Sequence, residues 1–136
     1  MNDHSLIQAA KNAMTHAWAP YSGFQVGAAL LAQDGRVFTG CNIENASFSV
    51  TACAERTALF KAVSEGCRSF TALAVVGGKG GVCDDFAWPC GACRQALSEF
   101  CGEDFRVILW KEDGTTRAFP LGELLPGTFR LSAEAN

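Results

Sequence analysis

The sequence is short of charge and carries no surplus of positive charge. Of its 136 residues 18% are charged, 11 Lys and Arg against 14 Asp and Glu, for a net charge of −3. Gripping a phosphate backbone takes a basic stripe that displaces counterions, so a chain with pI near 5.3 is not built for nucleic acid, double- or single-stranded. Also missing is any apolar run approaching the roughly 18 residues that cross a bilayer. The N-terminus has no basic region followed by an apolar stretch, so the expectation is a cytoplasmic protein with no membrane partner. No internal repeat, low-complexity tract or linker interrupts the chain. With 49% hydrophobic residues, 1–136 reads as one domain with a substantial core.

What the chain has in excess is cysteine. Seven (Cys41, Cys53, Cys67, Cys83, Cys90, Cys93 and Cys101) are many for a reducing compartment, and an odd number cannot all pair. Clustered cysteines there point to metal binding or chemistry rather than a disulfide framework.

Hydrophobic spacing places a first helix after Asp3, with Leu6, Ala9, Ala10, Ala13, Met14, Ala17 and Trp18 on one side and Pro20 closing it. Phe24 to Ala32 and Arg36 to Cys41 read as a hairpin about Asp34-Gly35. A second helix, with Thr51 as N-cap, runs to Gly66, and Phe70 to Val76 follows as a buried strand. Gly77-Gly78-Lys79-Gly80-Gly81 lacks the Gly-Lys-Ser/Thr ending of a phosphate-binding loop and reads as a flexible connection. A third helix covers Gly91 to Phe100, and the strands Phe105 to Trp110 and Thr116 to Phe119 flank Asp113-Gly114. This order predicts an α/β fold, a mixed five-stranded sheet between helical layers in a three-layer α/β/α sandwich.

Cys90-Gly91-Ala92-Cys93 opens the third helix with two thiols three residues apart, able to share one ion. Taken alone, this spacing also fits a redox dithiol or half of a structural zinc site. Cys53, at the start of the second helix, is the candidate third ligand. Three ligands leave the fourth tetrahedral position open, as catalytic zinc requires, whereas Cys83 as a fourth would give a closed, noncatalytic zinc-stabilised module. Three thiolates on Zn²⁺ leave a net −1. Arg56, one helical turn from Cys53, is placed to donate to its sulfur and offset that charge. Glu55 is the carboxylate that can take and return a proton beside such a centre.

Together, Cys53-Ala54-Glu55 and Pro89-Cys90-Gly91-Ala92-Cys93 resemble the zinc deaminase signature in its three-cysteine form. The segments Tyr21 to Leu30, Gly40-Cys41-Asn42-Ile43-Glu44-Asn45, Arg94-Gln95 and Leu124-Leu125-Pro126-Gly127 are similar to those of the small cytidine deaminases, so the likeness extends from about Tyr21 to Phe129. The resemblance implies hydrolysis of cytidine and deoxycytidine to uridine and deoxyuridine, with one zinc per chain. It implies that Glu55 protonates N3 and the leaving amine, and that the Ala54 amide binds the base carbonyl. The Trp88 carbonyl would accept from the 4-amino group, Asn42 and Glu44 would hold the ribose, and Phe24 would pack on the base or sugar. It further implies a homotetramer in which Phe129 closes a neighbouring subunit's site. From hydrophobic spacing alone, Phe24 reads as core. Trp88 stands where the family commonly has a small residue, and Phe48 where many relatives carry tyrosine. A blasticidin S type deaminase is the nearest alternative, and Asn42 with Glu44, suited to an unblocked ribose, argues against it.

Overall fold

The computed structural model describes residues 1–131. Helix α1 (Asp3–Met14) is capped by Asn2, whose side chain accepts from the Ser5 amide at 2.8 Å. It buries Leu6, Ile7, Ala10, Ala13 and Met14. The helix stops at Met14, before Ala17 and Trp18, because the backbone there finds a different partner. The Trp18 amide donates to the Asn42 carbonyl at 3.0 Å, and the Trp18 carbonyl accepts from Glu44 at 2.8 Å. Trp18 is consequently 61% exposed rather than part of the helical core face.

Strands β1 (Phe24–Ala32) and β2 (Val37–Cys41) form the hairpin expected about Asp34-Gly35, with Gly35 at φ +94°. Helix α2 (Ala54–Ser64) leads to β3 (Phe70–Lys79). Helix α3 (Gly91–Ser98) connects β3 to β4 (Arg106–Trp110), β5 (Thr116–Pro120) follows, and a four-residue helix α4 (Leu121–Leu124) not expected from the sequence comes last. The strand order is β2-β1-β3-β4-β5, antiparallel except for the β3–β4 pair.

Strand alternation separates two cores. Ala28, Leu30, Leu73 and Val75 pack with Ala58, Leu59 and Ala62 of α2 and Leu97 of α3. Ala29, Ala74 and Val76 face Leu6, Ile7, Ala10 and Met14 of α1. The sheet is therefore sandwiched, three layers deep, as the element order implied. Each fully buried leucine contributes about 1.5–3 kcal/mol of transfer free energy to this arrangement.

Two further features differ from the sequence expectation, at the glycine-dense stretch and at the start of α2. The glycine-dense stretch is largely strand: Gly77 and Gly78 pair with Val26 and Gln25, and only Gly80 (φ +61°) and Gly81 (φ +80°) make the turn. A Cβ on Gly78 would lie 1.7 Å from the Val82 carbonyl oxygen, so glycine is there for the close return of the chain rather than for flexibility. The N-cap of α2 is Cys53, not Thr51, whose hydroxyl instead accepts from the Asn45 amide at 3.0 Å. Gly40 of β2 lets α2 come close, since a Cβ there would lie 2.5 Å from both the Ala54 oxygen and the Ala58 nitrogen. This approach sets the start of α2 at the sheet edge, facing the start of α3.

Candidate active site

Cys53 and Cys90 hold equivalent positions. Each is an extended N-cap residue (φ −76°, ψ 156° and φ −69°, ψ 167°), and neither side chain caps its own helix. Both thiols instead turn to a common point. Cys53 Sγ lies 3.7 Å from Cys90 Sγ, which lies 3.5 Å from Cys93 Sγ. All three sulfurs fall within 4.8 Å of one another. Tetrahedral zinc thiolates with bonds of about 2.3 Å have sulfurs about 3.8 Å apart, so the donor set fits zinc. Cys83 is not part of it. Its buried thiol lies 3.7 Å from Met14 Sδ in the α1-facing core, which removes the four-cysteine closed site as a reading.

The electrostatics of the three thiols also call for a cation. Hydrogen bonding from Cys93, together with the Arg56 guanidinium, outweighs burial and holds the Cys53 thiol down at about 5. The hydrogen bond to Cys53, burial and the Glu55 carboxylate push Cys93 up. One thiolate thus makes the next costly, and a divalent ion is the charge that lets all three ionise. Arg56 Nη2 donates to Cys53 Sγ at 3.3 Å, the contact its helical spacing suggested.

Glu55 is 4% exposed, next to this cluster. Burial pushes its carboxyl up to about 7, where it can both accept and release a proton near neutrality. It lies on a cavity of about 340 Å³, also lined by Ala54, Cys53 and Cys90 on the metal side, Asn42 and Glu44 on another, and Phe24 and Trp88 at the rim. Phe24 is 42% exposed, so it belongs to this cavity rather than to the core that hydrophobic spacing favoured.

Asn42 Oδ1 accepts from the Val26 amide at 2.9 Å and Nδ2 donates to the Phe24 carbonyl at 2.8 Å. These bonds fix the amide and leave it one further donor and acceptor. Glu44 accepts from the Tyr21 and Ser22 amides and from the Ser22 hydroxyl, which keeps its carboxyl below the ordinary range. Ser22 and Phe86 also line the cavity, and residue pattern alone did not single them out. Ser22 sits in the Tyr21-Ser22-Gly23 run, but its service to Glu44 across 22 residues has no local signature. Phe129 lies outside the cavity, 66% exposed, with its carbonyl accepting from Gln95 Nε2 at 3.1 Å.

Comparisons with known proteins agree with this geometry. A family model described as the cytidine and deoxycytidylate deaminase zinc-binding region matches residues 1–109. Cytidine deaminase of Sporosarcina psychrophila is 51% identical over 129 residues, covering 95% of this chain and 92% of its own. That of Halalkalibacterium halodurans is 50% identical over 129 residues, covering 95% of each. A crystal structure of cytidine deaminase from Burkholderia pseudomallei matches with a TM-score of 0.88 at 49% identity, covering 95% of this chain and 100% of that one. The chain belongs to the cytidine and deoxycytidylate deaminase family.

Proposed function

We propose that this protein hydrolyses cytidine and deoxycytidine to uridine and deoxyuridine, releasing ammonia, with one zinc ion held by Cys53, Cys90 and Cys93. The observation that carries the reading is the buried Glu55 carboxylate beside three convergent thiols, on a cavity that also presents an amide and a carboxylate. A bound zinc ion supplies the Lewis acidity that makes water a nucleophile near neutral pH.

The chain's own groups do the rest. Glu55 takes one proton from the attacking water and passes it to N3 of the pyrimidine; it then takes the remaining proton of the added hydroxyl, as the 4-oxo group forms, and delivers it to the departing amine, which leaves as ammonia. The Ala54 amide, at the first turn of α2, donates to the base carbonyl. The Trp88 carbonyl, which accepts from no protein donor among the described residues, receives the 4-amino group. Asn42 and Glu44, already anchored by β1 and by the 21–22 turn, present their remaining capacity to the ribose hydroxyls. A carboxylate in that place favours nucleosides over nucleotides, whose phosphate it repels, and over free bases, which leave it unpaired. Phe24 covers the base or sugar, and Arg56 offsets thiolate charge.

We also propose that the protein is cytoplasmic, serves pyrimidine salvage and assembles as a homotetramer in which Phe129 reaches a neighbouring site. The Phe129 side chain is 66% exposed on its own subunit and so available to a neighbour, and among the described residues no helix is long and apolar enough to cross a membrane. Incubation with cytidine, followed by the absorbance change as the base loses its amine, tests the activity. An unchanged spectrum with zinc-loaded protein would refute it.

A further inference from the structure

Trp88-Pro89-Cys90 places a cavity-lining residue, a buried proline and a thiol of the three-cysteine cluster in succession. The run lies outside every helix and strand, so regular backbone pairing does not hold it. Arg94, on the first turn of α3, reaches back instead. Its Nε donates to the Pro89 carbonyl at 2.7 Å, and Nη1 donates to the Leu124 carbonyl at the end of α4, also at 2.7 Å. Both are charge-assisted bonds, and the planar fork of a guanidinium is what lets one side chain hold two carbonyls in fixed directions.

Proline fixes its own φ near −65°, so pinning its carbonyl leaves the preceding Trp88–Pro89 peptide little freedom to rotate. With the Pro89 carbonyl held by Arg94, the carbonyl of Trp88, a residue that lines the cavity, accepts from no protein donor among the described residues. We infer that Arg94 is a positioning residue that holds the Trp88 carbonyl as the acceptor distinguishing a 4-amino from a 4-oxo pyrimidine, with α4 as its second anchor. This rests on the reading that the Trp88 carbonyl receives the amino group. An acceptor there rewards the substrate's N–H and opposes the product's carbonyl oxygen, so the same contact admits cytidine and expels uridine. A loosened peptide would lose that selectivity without losing the rest of the cavity.

The test uses zinc-loaded Glu55→Gln protein, which cannot turn substrate over, and measures Kd for cytidine and for uridine by calorimetry, with metal content determined for each variant. The Glu55→Gln parent should bind cytidine more tightly than uridine. Adding Arg94→Ala should weaken cytidine about tenfold and change uridine by less than about twofold, the scale of one lost hydrogen bond. Arg94→Lys, which keeps the charge but can reach only one of the two carbonyls, should lose part of the preference and decides the matter alone if the alanine variant does not fold. Equal weakening of both ligands would mean that Arg94 is merely structural, and undiminished preference in the variants would overturn its role outright. A parent with no preference for cytidine would instead remove the Trp88 assignment, and this inference with it.

Discussion

Helices α1 and α2 both begin with an acidic residue in the first turn, yet the two acids titrate in opposite directions. Asp3 sits half-exposed at the start of α1. Its hydrogen bond and ion pair with Arg106, at 2.8 Å, hold its carboxyl below the usual range. Glu55, nearly inaccessible at the start of α2, is pushed up to about 7 by burial. The caps differ in the same way. Asn2 satisfies an amide of α1 with its own side chain, whereas Cys53 and Cys90 adopt the same extended cap geometry but give their side chains to the thiol cluster. A good cap is worth about 1 kcal/mol, so α2 and α3 forgo local stability that α1 keeps. Where a helix start serves only the fold, its polar side chains are spent on the helix itself and on a neighbouring strand; where α2 and α3 meet, the cap side chains turn to one another and one acid, Glu55, is desolvated.

The difference between the two acids should be most severe in catalysis. Glu55→Gln is expected to keep fold and zinc but to lower kcat by about 10²–10⁴, since an amide cannot relay a proton. A steady-state assay with zinc analysis measures this, and retention of more than about a tenth of the parent's kcat would remove Glu55 from proton transfer. The corresponding Asp3→Asn variant should leave kcat unchanged.

Cys90→Ser tests the caps. The variant should yield its metal to a chelator that the parent resists, because a neutral hydroxyl is a poor substitute for thiolate. Metal-free, it should be more stable than the metal-free parent by about 0.5–1 kcal/mol, because serine is a good N-cap. Urea denaturation of both apo proteins gives the sign. At the other helix, Asn2→Ala should cost about 1 kcal/mol of stability with activity intact, and an effect on kcat there would break the division between structural and chemical helix starts.

The smallest effect belongs to the Asp3–Arg106 pair. Half-exposed on both sides, it is worth only about 0.2–1 kcal/mol after solvent screening. Because the folded-state carboxyl lies below the ordinary aspartate value, this contribution is present in full above that ordinary value and is lost as the pH falls through the depressed folded one. Stability curves of the parent and Asp3→Asn should therefore run apart at neutrality and converge in acid.

Much of the fold is readable along the chain because its signals are local. Asp34-Gly35 and Asp113-Gly114 both mark hairpins, with Gly35 and Gly114 in the left-handed region. The CxxC spacing delivers two sulfurs to one point because the two residues lie within one helical turn. Expectations failed where a distant backbone decided the matter. Trp18 is drawn out of α1 by pairing with Asn42 and Glu44. Gly77 and Gly78, which look like a loop, are strand because β1 supplies their partners.

The sequence by itself determined which groups are available: three thiols suited to zinc, an adjacent acid, an arginine one turn from Cys53, and a net charge of −3. Those properties reside in side-chain chemistry and short spacing. Only the tertiary structure brought Cys53 within 3.7 Å of Cys90 across 37 residues, buried Glu55 until its proton became transferable near neutrality, and set Asn42 and Glu44 on the same cavity. Distance and desolvation are properties of packing, and no single stretch of chain contains them.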